Sequence, residues 1–428
     1  MYAHAAMVLA VIAVAFVIAI LLRLGTEISM LIAAIAGAIA HGAGIPARHI
    51  VEGTFTYFDV VFIFITATFF MNLLKEAGGV TYIVRGIISK FHKNRVALLL
   101  LLTLIMLVPG ALTGSGTVTV LVVGSFVGTV LSYMGIPKDR VAAAVFMGSA
   151  MSAAAPPINL WAMMAAAGAN MPYVGFTLPL GIISVAGALF SIFYLARGSK
   201  PIDAEQALKE IPEAPEGMAW YKVAIPFIVF FGIIILGRQF PFSMPVIGLP
   251  LAFMLSALAV VLLSPVKLRV FEILSNTVED LLPLISTVTI VGILVQIMAL
   301  SGARGLISLS VVTMPLAAIF AALFVVLPVS EGIFQYASAP LLGVPLVFLL
   351  NMKGYDPVIA LAGMASMWPL GDCLPPTAPV GRGAVMAVGY DGDYKAFLKQ
   401  CLVPALFVLV IGTLFVVFSP KLGFLARG

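Results

Sequence analysis

Charge is what this sequence has least of. Of its 428 residues only 10% are Asp, Glu, Lys or Arg, against about a quarter in ordinary soluble domains. Hydrophobic residues make up 62%, and the mean hydropathy is +1.17. No soluble fold has enough interior to hide so much apolar surface. A soluble enzyme, a nucleic-acid-binding module and a disordered scaffold are thereby excluded, and lipid is the solvent for most of the chain. Cysteine is scarce too. Cys373 and Cys401 form no CxxC pair and no zinc pattern with the four histidines, so neither a disulfide framework nor such a metal site is indicated. The net charge of +5 is read as topology rather than nucleic-acid binding, because cytoplasmic loops of membrane proteins collect Lys and Arg. A basic n-region is missing from Met1-Tyr2-Ala3-His4, so the apolar run at 5–22 reads as a retained span.

A bilayer-crossing helix needs about 20 mostly apolar residues. Ten stretches qualify: 5–22, 26–44, 57–76, 139–168, 174–196, 222–238, 246–264, 279–299, 357–388 and 396–419. Two more long apolar stretches, 93–134 and 312–352, are broken by small and polar residues. The breaks are Gly110-Ala111-Leu112-Thr113-Gly114-Ser115-Gly116 and Pro328-Val329-Ser330-Glu331-Gly332. Both stretches read as re-entrant helical hairpins, since irregular backbone at membrane depth survives only under protein or beside water. With the N-terminus outside, this arrangement puts 17 of the 23 Lys and Arg on the inside. Arg48, Arg238, Arg304, Lys353, Lys421 and Arg427 are left outside, as the positive-inside tendency asks. The expectation is a multi-pass protein of the cell (inner) membrane.

The chain repeats itself at an offset of 219 residues. Pro109 matches Pro328, Gly124 matches Gly343, Gly135 matches Gly354, and Pro156-Pro157 match Pro375-Pro376. Gly78 and Gly302 form a further pair at a slightly different offset. Five crossings per half make the second half inverted. The expected fold is therefore an all-α integral membrane protein of two inverted repeats, residues 1–197 and 222–428. Segment 198–221, with Asp203, Glu205, Glu210, Glu213 and Glu216, is the cytoplasmic linker, expected as a short amphipathic helix and a Pro-rich turn. A second interfacial helix is expected from Gly79 to His92, with Ile83, Val84, Ile87, Ile88 and Phe91 on one face. Inverted repeats with discontinuous helices are the architecture of secondary transporters.

Four breaks could carry chemistry. At Thr113-Gly114-Ser115-Gly116-Thr117, with Thr119 one turn on, hydroxyls and freed carbonyls are hard oxygen ligands for a cation. At Ala153-Ala154-Ala155-Pro156-Pro157-Ile158-Asn159 the prolines free carbonyls one turn earlier, and Asn159 offers a donor and an acceptor. The repeat mates are Ser330-Glu331-Gly332, followed by Gln335 and Ser338, and Gly371-Asp372-Cys373-Leu374-Pro375-Pro376-Thr377. A carboxylate at membrane depth costs roughly 2.5–3.5 kcal/mol on insertion scales and is usually compensated by a cation, a proton or an Arg. Arg382 could pair with one carboxylate or clamp a substrate carboxylate, or snorkel to the cytoplasmic surface.

The run Gly114-Ser115-Gly116-Thr117-Val118-Thr119, the Pro156-Pro157 break, Tyr355-Asp356-Pro357 and the Pro375-Pro376 break resemble the large membrane subunit of TRAP transporters, the DctM-like members of the ion transporter superfamily. The resemblance covers essentially the whole chain. It implies an elevator-type, usually Na⁺-driven importer of carboxylates or sialic acid that works with a small four-helix membrane subunit and a soluble substrate-binding protein. It would place Na⁺ at Thr113, Ser115, Gly116, Ala154 and Pro156 in one half, and at Ser330, Gly332 and Asp372 in the other. Ser115, Thr117, Asn159, Gln335, Thr377 and Arg382 would face substrate. Glu331 and Asp372-Cys373 depart from the family pattern and suit a stand-alone H⁺-coupled transporter with those two carboxyls as proton carriers. Besides Na⁺ no cofactor is expected. Lipid, a small organic anion and a further copy of the chain are the other expected partners, and nucleic acid is not. Two other classes fit the sequence less well. An intramembrane aspartyl protease would use Asp356 and Asp372, but Pro369 stands where its motif needs Gly. A channel would need a charge ring or carbonyl filter, and none is present.

Overall fold

The computed structural model describes residues 2–427 apart from 203, 241, 242, 244 and 246, and without the side chains of 238, 312 and 427. Asp203 of the linker, the side chains of Arg238 and Arg427, and the first residue of the span expected at 246–264 thus lie outside the described residues. Every regular element among the described residues is helical. Nine of those helices are long and apolar enough to cross a membrane.

Most expected spans appear as helices, with shifted ends. Tyr2–Leu21, Thr26–His41, Thr177–Leu195, Trp220–Gln239, Leu249–Leu263 and Tyr394–Val417 match theirs closely. Two run longer. The span expected at 57–76 is preceded by a second helix, giving Ala47–Phe55 and Phe58–Glu76. The span expected at 279–299 is one helix of 31 residues, Val270–Leu300. At 1.5 Å per residue it is about 46 Å long, more than the roughly 30 Å hydrocarbon core. Its excess end carries Glu272, Glu279 and Asp280, all exposed.

The 219-residue offset is visible in the elements themselves. Lys138–Ala154 and Leu160–Gly168 recur as Pro357–Met367, the tight 3₁₀ segment Trp368–Cys373 and Pro379–Val388. A π-helical bulge at Val120–Gly124 recurs at Ala339–Gly343, and Ser125–Tyr133 recurs as Val344–Met352. The Pro156-Pro157 and Pro375-Pro376 peptide bonds are both cis. Gly78 and Gly302, both with positive φ, each open an amphipathic helix, Gly79–Phe91 and Ala303–Thr313. The second of these helices was not anticipated from the sequence.

The second hairpin corrects its expected tip. Helix Leu316–Phe334 continues through Ser330, Glu331 and Gly332 and turns only at Gln335, φ 52°. In the first hairpin, helix Arg95–Thr113 ends on Gly114, φ 69°. A turn needs a left-handed residue. The second arm has no glycine beyond Gly332, so the turn slips to Gln335, and Ser330 to Gly332 stay helical.

The helices fall into two packed groups. Tyr2–Leu21, Thr26–His41, Ala47–Phe55, Phe58–Glu76, Trp220–Gln239, Leu249–Leu263 and Val270–Leu300 pack on one another. The hairpins, the broken helices, Thr177–Leu195 and Tyr394–Val417 form the other group. Within the first group, Gly53 and Gly292 let Ala47–Phe55 and Val270–Leu300 cross backbone to backbone. A Cβ on Gly53 would stand 2.7 Å from Ile293 N. Such small-residue crossings replace the hydrophobic driving force that lipid removes. The linker forms helix Ala204–Glu210 as expected, and the Arg85 guanidinium holds it by donating to Leu208 O and Ile211 O at 2.9 and 2.6 Å.

Candidate functional site

In the first half, the hairpin turn is sewn to the broken helix. Ser152 Oγ accepts from Gly110 N–H at 2.8 Å, donates to Leu107 O at 2.8 Å and lies 3.0 Å from Thr119 Oγ1. Ile158 N–H donates to Ala111 O at 3.0 Å. Thr113 Oγ1 donates to Pro109 O, and Ser115 caps Gly116–Thr119 by accepting Val118 N–H at 3.4 Å. Gly116 lies so near Ser149 O and Val380 that a Cβ would reach them at 3.2 and 3.1 Å. Ser149 Oγ is buried with no hydrogen-bond partner.

Asn159 does something other than expected. Its side chain caps Leu160–Gly168 by accepting Ala162 N–H at 2.9 Å, and its amide donates to Ala154 O at 3.0 Å and Ala365 O at 3.4 Å. The group assigned to substrate is therefore engaged as a joint between the halves. The Ala154 carbonyl, expected free for Na⁺, already accepts a hydrogen bond. Pro156 is half-buried on an apolar cavity rather than aimed at the polar centre.

In the second half the same joint is made from different residues. Thr377 Oγ1 donates to Gly332 O at 2.9 Å, and Tyr394 OH donates to Cys373 O at 2.8 Å. A Cβ on Gly332 would meet Leu374 Cβ at 2.8 Å, and Gly371 packs directly on Pro328 O. Here sit Glu331 and Asp372, 0% and 2% exposed, the only buried Asp, Glu, Lys or Arg among the described residues. Ser338 Oγ donates to Glu331 Oε2, while Glu331 Oε1 has no hydrogen-bond partner. The Trp161 indole N–H lies beside Glu331 without completing a hydrogen bond. Tyr336 stacks on Trp161, ring centroids 5.0 Å apart, and brings its hydroxyl to Ser115. Asp372, Glu331 and Tyr336 are mutual neighbours. Ser115 from the first half thus meets Glu331, Ser338 and Asp372 from the second around one aromatic pair.

The remaining expected residues stand apart. Ser330 donates back to Leu327 O at 2.8 Å. Thr117 and Gln335 are half-buried. Arg382 is exposed and donates to Pro376 O at 3.1 Å. It pairs with neither carboxyl, and the ion pairs among the described residues, Arg48–Glu52 and Arg269–Glu272, are on exposed helix faces. Pro379–Val388, which carries Arg382, begins at Ala378 with no side-chain cap, unlike its mate capped by Asn159. Sequence reasoning missed Trp161, Tyr336 and Ser152. A tryptophan two residues past a break in an otherwise Ala- and Met-rich helix was the available signal for the first.

The donor sets fit a hard monovalent cation in kind. Around Ser115, Ser149 and Thr113 every candidate ligand is a hydroxyl or a carbonyl. Around Glu331 and Asp372 the ligands are carboxyl and hydroxyl oxygens, one of them unpartnered. Groups of three or more His, Cys, Asp or Glu, which a transition metal would favour, are absent among the described residues.

Two solved transporters share this fold. MtrF of Neisseria gonorrhoeae, from a class of antimetabolite efflux pumps, aligns with a TM-score of 0.58 at 13% identity over 85% of this chain and 83% of MtrF. The Alcanivorax borkumensis YdaH transporter, with an unusual topology, aligns with a TM-score of 0.59 at 14% identity over 87% of each chain. The chain is a multi-pass helical membrane protein with the fold of known transporters. These likenesses do not single out the TRAP large subunit. No protein-family model matches the chain, and no curated protein matches it in sequence.

Proposed function

We propose that this chain is an ion-coupled secondary active transporter of a small organic anion, working by elevator-type alternating access between inverted halves. The observation that carries this reading is the buried Glu331–Asp372 pair. Among the described residues it has no cationic partner, and it sits where a hairpin meets a broken helix. Carboxyls at membrane depth are usually compensated by a cation, a proton or an Arg, and a coupling ion would fill that part here. Na⁺ is the first candidate, on oxygen ligands from Ser115 and its neighbours and from Glu331 and Asp372. The proton is the second reading, favoured by two buried carboxyls at one joint with a serine donor on one of them. The anion is assigned to the uncapped N-terminus of Pro379–Val388, where free N–H groups, Thr377 and Arg382 offer positive charge and donors. Inner-membrane placement with the N-terminus outside, a small membrane subunit, a soluble binding protein and self-association belong to the same proposal.

A protease reading has little support. Asp356 caps Pro357–Met367, accepting Val358 and Ile359 N–H at 3.0 Å each. Sixteen residues of mostly helical rise, roughly 24 Å, separate it from Asp372. The test is transport in proteoliposomes of both orientations, with labelled mono- and dicarboxylates and an imposed Na⁺ or proton gradient. Gradient-driven flux that is lost in Asp372→Asn and Glu331→Gln is expected. Folded protein that moves no anion under either gradient overturns the proposal.

A further inference from the structure

The apolar cavity on which Pro156 lies is lined by the first hairpin arm and the first broken helix. It holds about 520 Å³, within the roughly 300–1,000 Å³ range of small-molecule sites. Its floor is the back of the first break: Pro109 and Leu112 of the hairpin arm, with Ala155 and Pro156 of the broken helix. Its opposite wall comes from the other helix group, through Met71 and Phe227. The cavity therefore sits between the two packed groups of helices.

Its chemistry is hydrocarbon throughout. The one hydroxyl in the lining, Ser184, already donates to Leu180 O at 2.7 Å. Water needs two to four polar partners to stay in such a space, and this lining offers it none. The mouth is formed by Leu104, Val185 and Phe231, all exposed. Val185 and Phe231 stand near the midpoints of the apolar helices Thr177–Leu195 and Trp220–Gln239, and Leu104 stands halfway along the hairpin arm Arg95–Thr113. The opening thus lies among apolar mid-helix surface, which a bilayer would cover with hydrocarbon rather than with headgroups or water. What lies against a mid-span apolar opening is the end of a lipid tail.

We propose that this cavity binds an acyl chain of a membrane lipid, inserted sideways from the bilayer centre against the Pro156 break. The chain fills the space between the helix groups with the material that already surrounds them. It also bears on the hairpin arm and the break that position Ser115. The proposal does not depend on which solute or ion is carried.

The test uses the full chain in nanodiscs of phosphatidylethanolamine and phosphatidylglycerol, doped with a phospholipid carrying a diazirine at the end of one acyl chain. After photolysis, adducts are mapped by peptide mass spectrometry. Adducts on the floor segments 109–112 and 155–157 are expected. Gly181 lines the cavity, and a Cβ there would meet only Pro156 Cγ at 3.6 Å. Gly181→Phe should therefore fill the space and abolish floor adducts while leaving those on Leu104 and Phe231. Gly181→Val serves if the larger variant does not fold. Gly232→Leu, whose Cβ would enter open space, should leave the floor adducts unchanged. Adducts confined to the outer residues in the unsubstituted chain, or floor adducts that survive both Gly181 substitutions, overturn the proposal.

Discussion

The buried carboxyl pair makes a prediction that calorimetry or dye-monitored unfolding can test without knowing the substrate. Choline is replaced by Na⁺ at constant ionic strength, and thermal unfolding is followed in detergent. A ligand at 100 times its Kd stabilises the folded state by about 2.7 kcal/mol. Unfolding entropy of about 2.1 cal/mol/K per residue gives about 0.9 kcal/mol/K for 428 residues. The expected rise in Tm is then about 3 °C. Glu331→Gln and Asp372→Asn keep the side-chain volume and remove the charge. Because an uncompensated carboxylate at membrane depth costs roughly 2.5–3.5 kcal/mol, neither variant should melt lower in choline, and both should lose the Na⁺ rise. A Na⁺ rise that persists in both amide variants would refute the assignment of the cation to this pair. No rise in the unsubstituted chain, with both amide variants melting higher, would refute Na⁺ as the coupling ion and leave the proton.

Other substitutions separate structural joints from functional groups. Asp356→Ala should cost about 1 kcal/mol, the worth of a lost helix cap, and only mildly affect transport, as measured by unfolding and flux; proteolytic activity in the unsubstituted chain that this variant abolishes would revive the protease reading. Ser152→Ala removes the acceptor of Gly110 N–H from a buried site and should cost about 1–3 kcal/mol, seen as a lower Tm. Asn159→Ala should lower Tm by a similar mechanism with little change in the apparent affinity for the anion, the reverse of a substrate ligand. Arg382→Ala should raise the apparent KM for the anion in proteoliposomes while leaving the Na⁺-dependent Tm rise unchanged, since Arg382 stands clear of the carboxyls.

Much of the fold was legible because lipid permits few solutions. A run of about 20 apolar residues reads as a helix, and Pro-Pro pairs in two such runs mark breaks wherever they fall. The paired prolines at 156 and 375 therefore located both broken helices, and Gly78 located the first amphipathic helix, whereas the one opened by Gly302 went unread. What pattern could not supply was the end of a helix that no glycine terminates. Gln335 takes the left-handed turn because Gly332 is held helical against Leu374, a contact made 42 residues away in sequence. The partners of Asn159 were hidden for the same reason. Its amide reaches Ala365, 206 residues along the chain, and no local rule announces such a bond.

The repeat also explains why the two joints are chemically unlike. At the 219-residue offset Glu331 corresponds to Leu112, and Asp372 corresponds to Ala153. Asn159, which caps one half-helix, corresponds to Ala378, which leaves the other uncapped. Thr119 and Ser338 keep a hydroxyl at the same position, yet one faces Ser152 and the other Glu331. The backbone breaks are thus retained in both halves while the groups lining them diverge. Inner symmetry of backbone supplies two places where helix ends can meet an ion or an anion. Asymmetry of side chains then divides the work. The first half contributes neutral oxygens and a closed helix N-terminus. The second contributes both buried carboxyls and an open N-terminus with Arg382 beside it. On the proposed function, the cation would be held at the carboxyls and the anion at the open N-terminus, so that each could alter the field felt by the other without sharing a ligand.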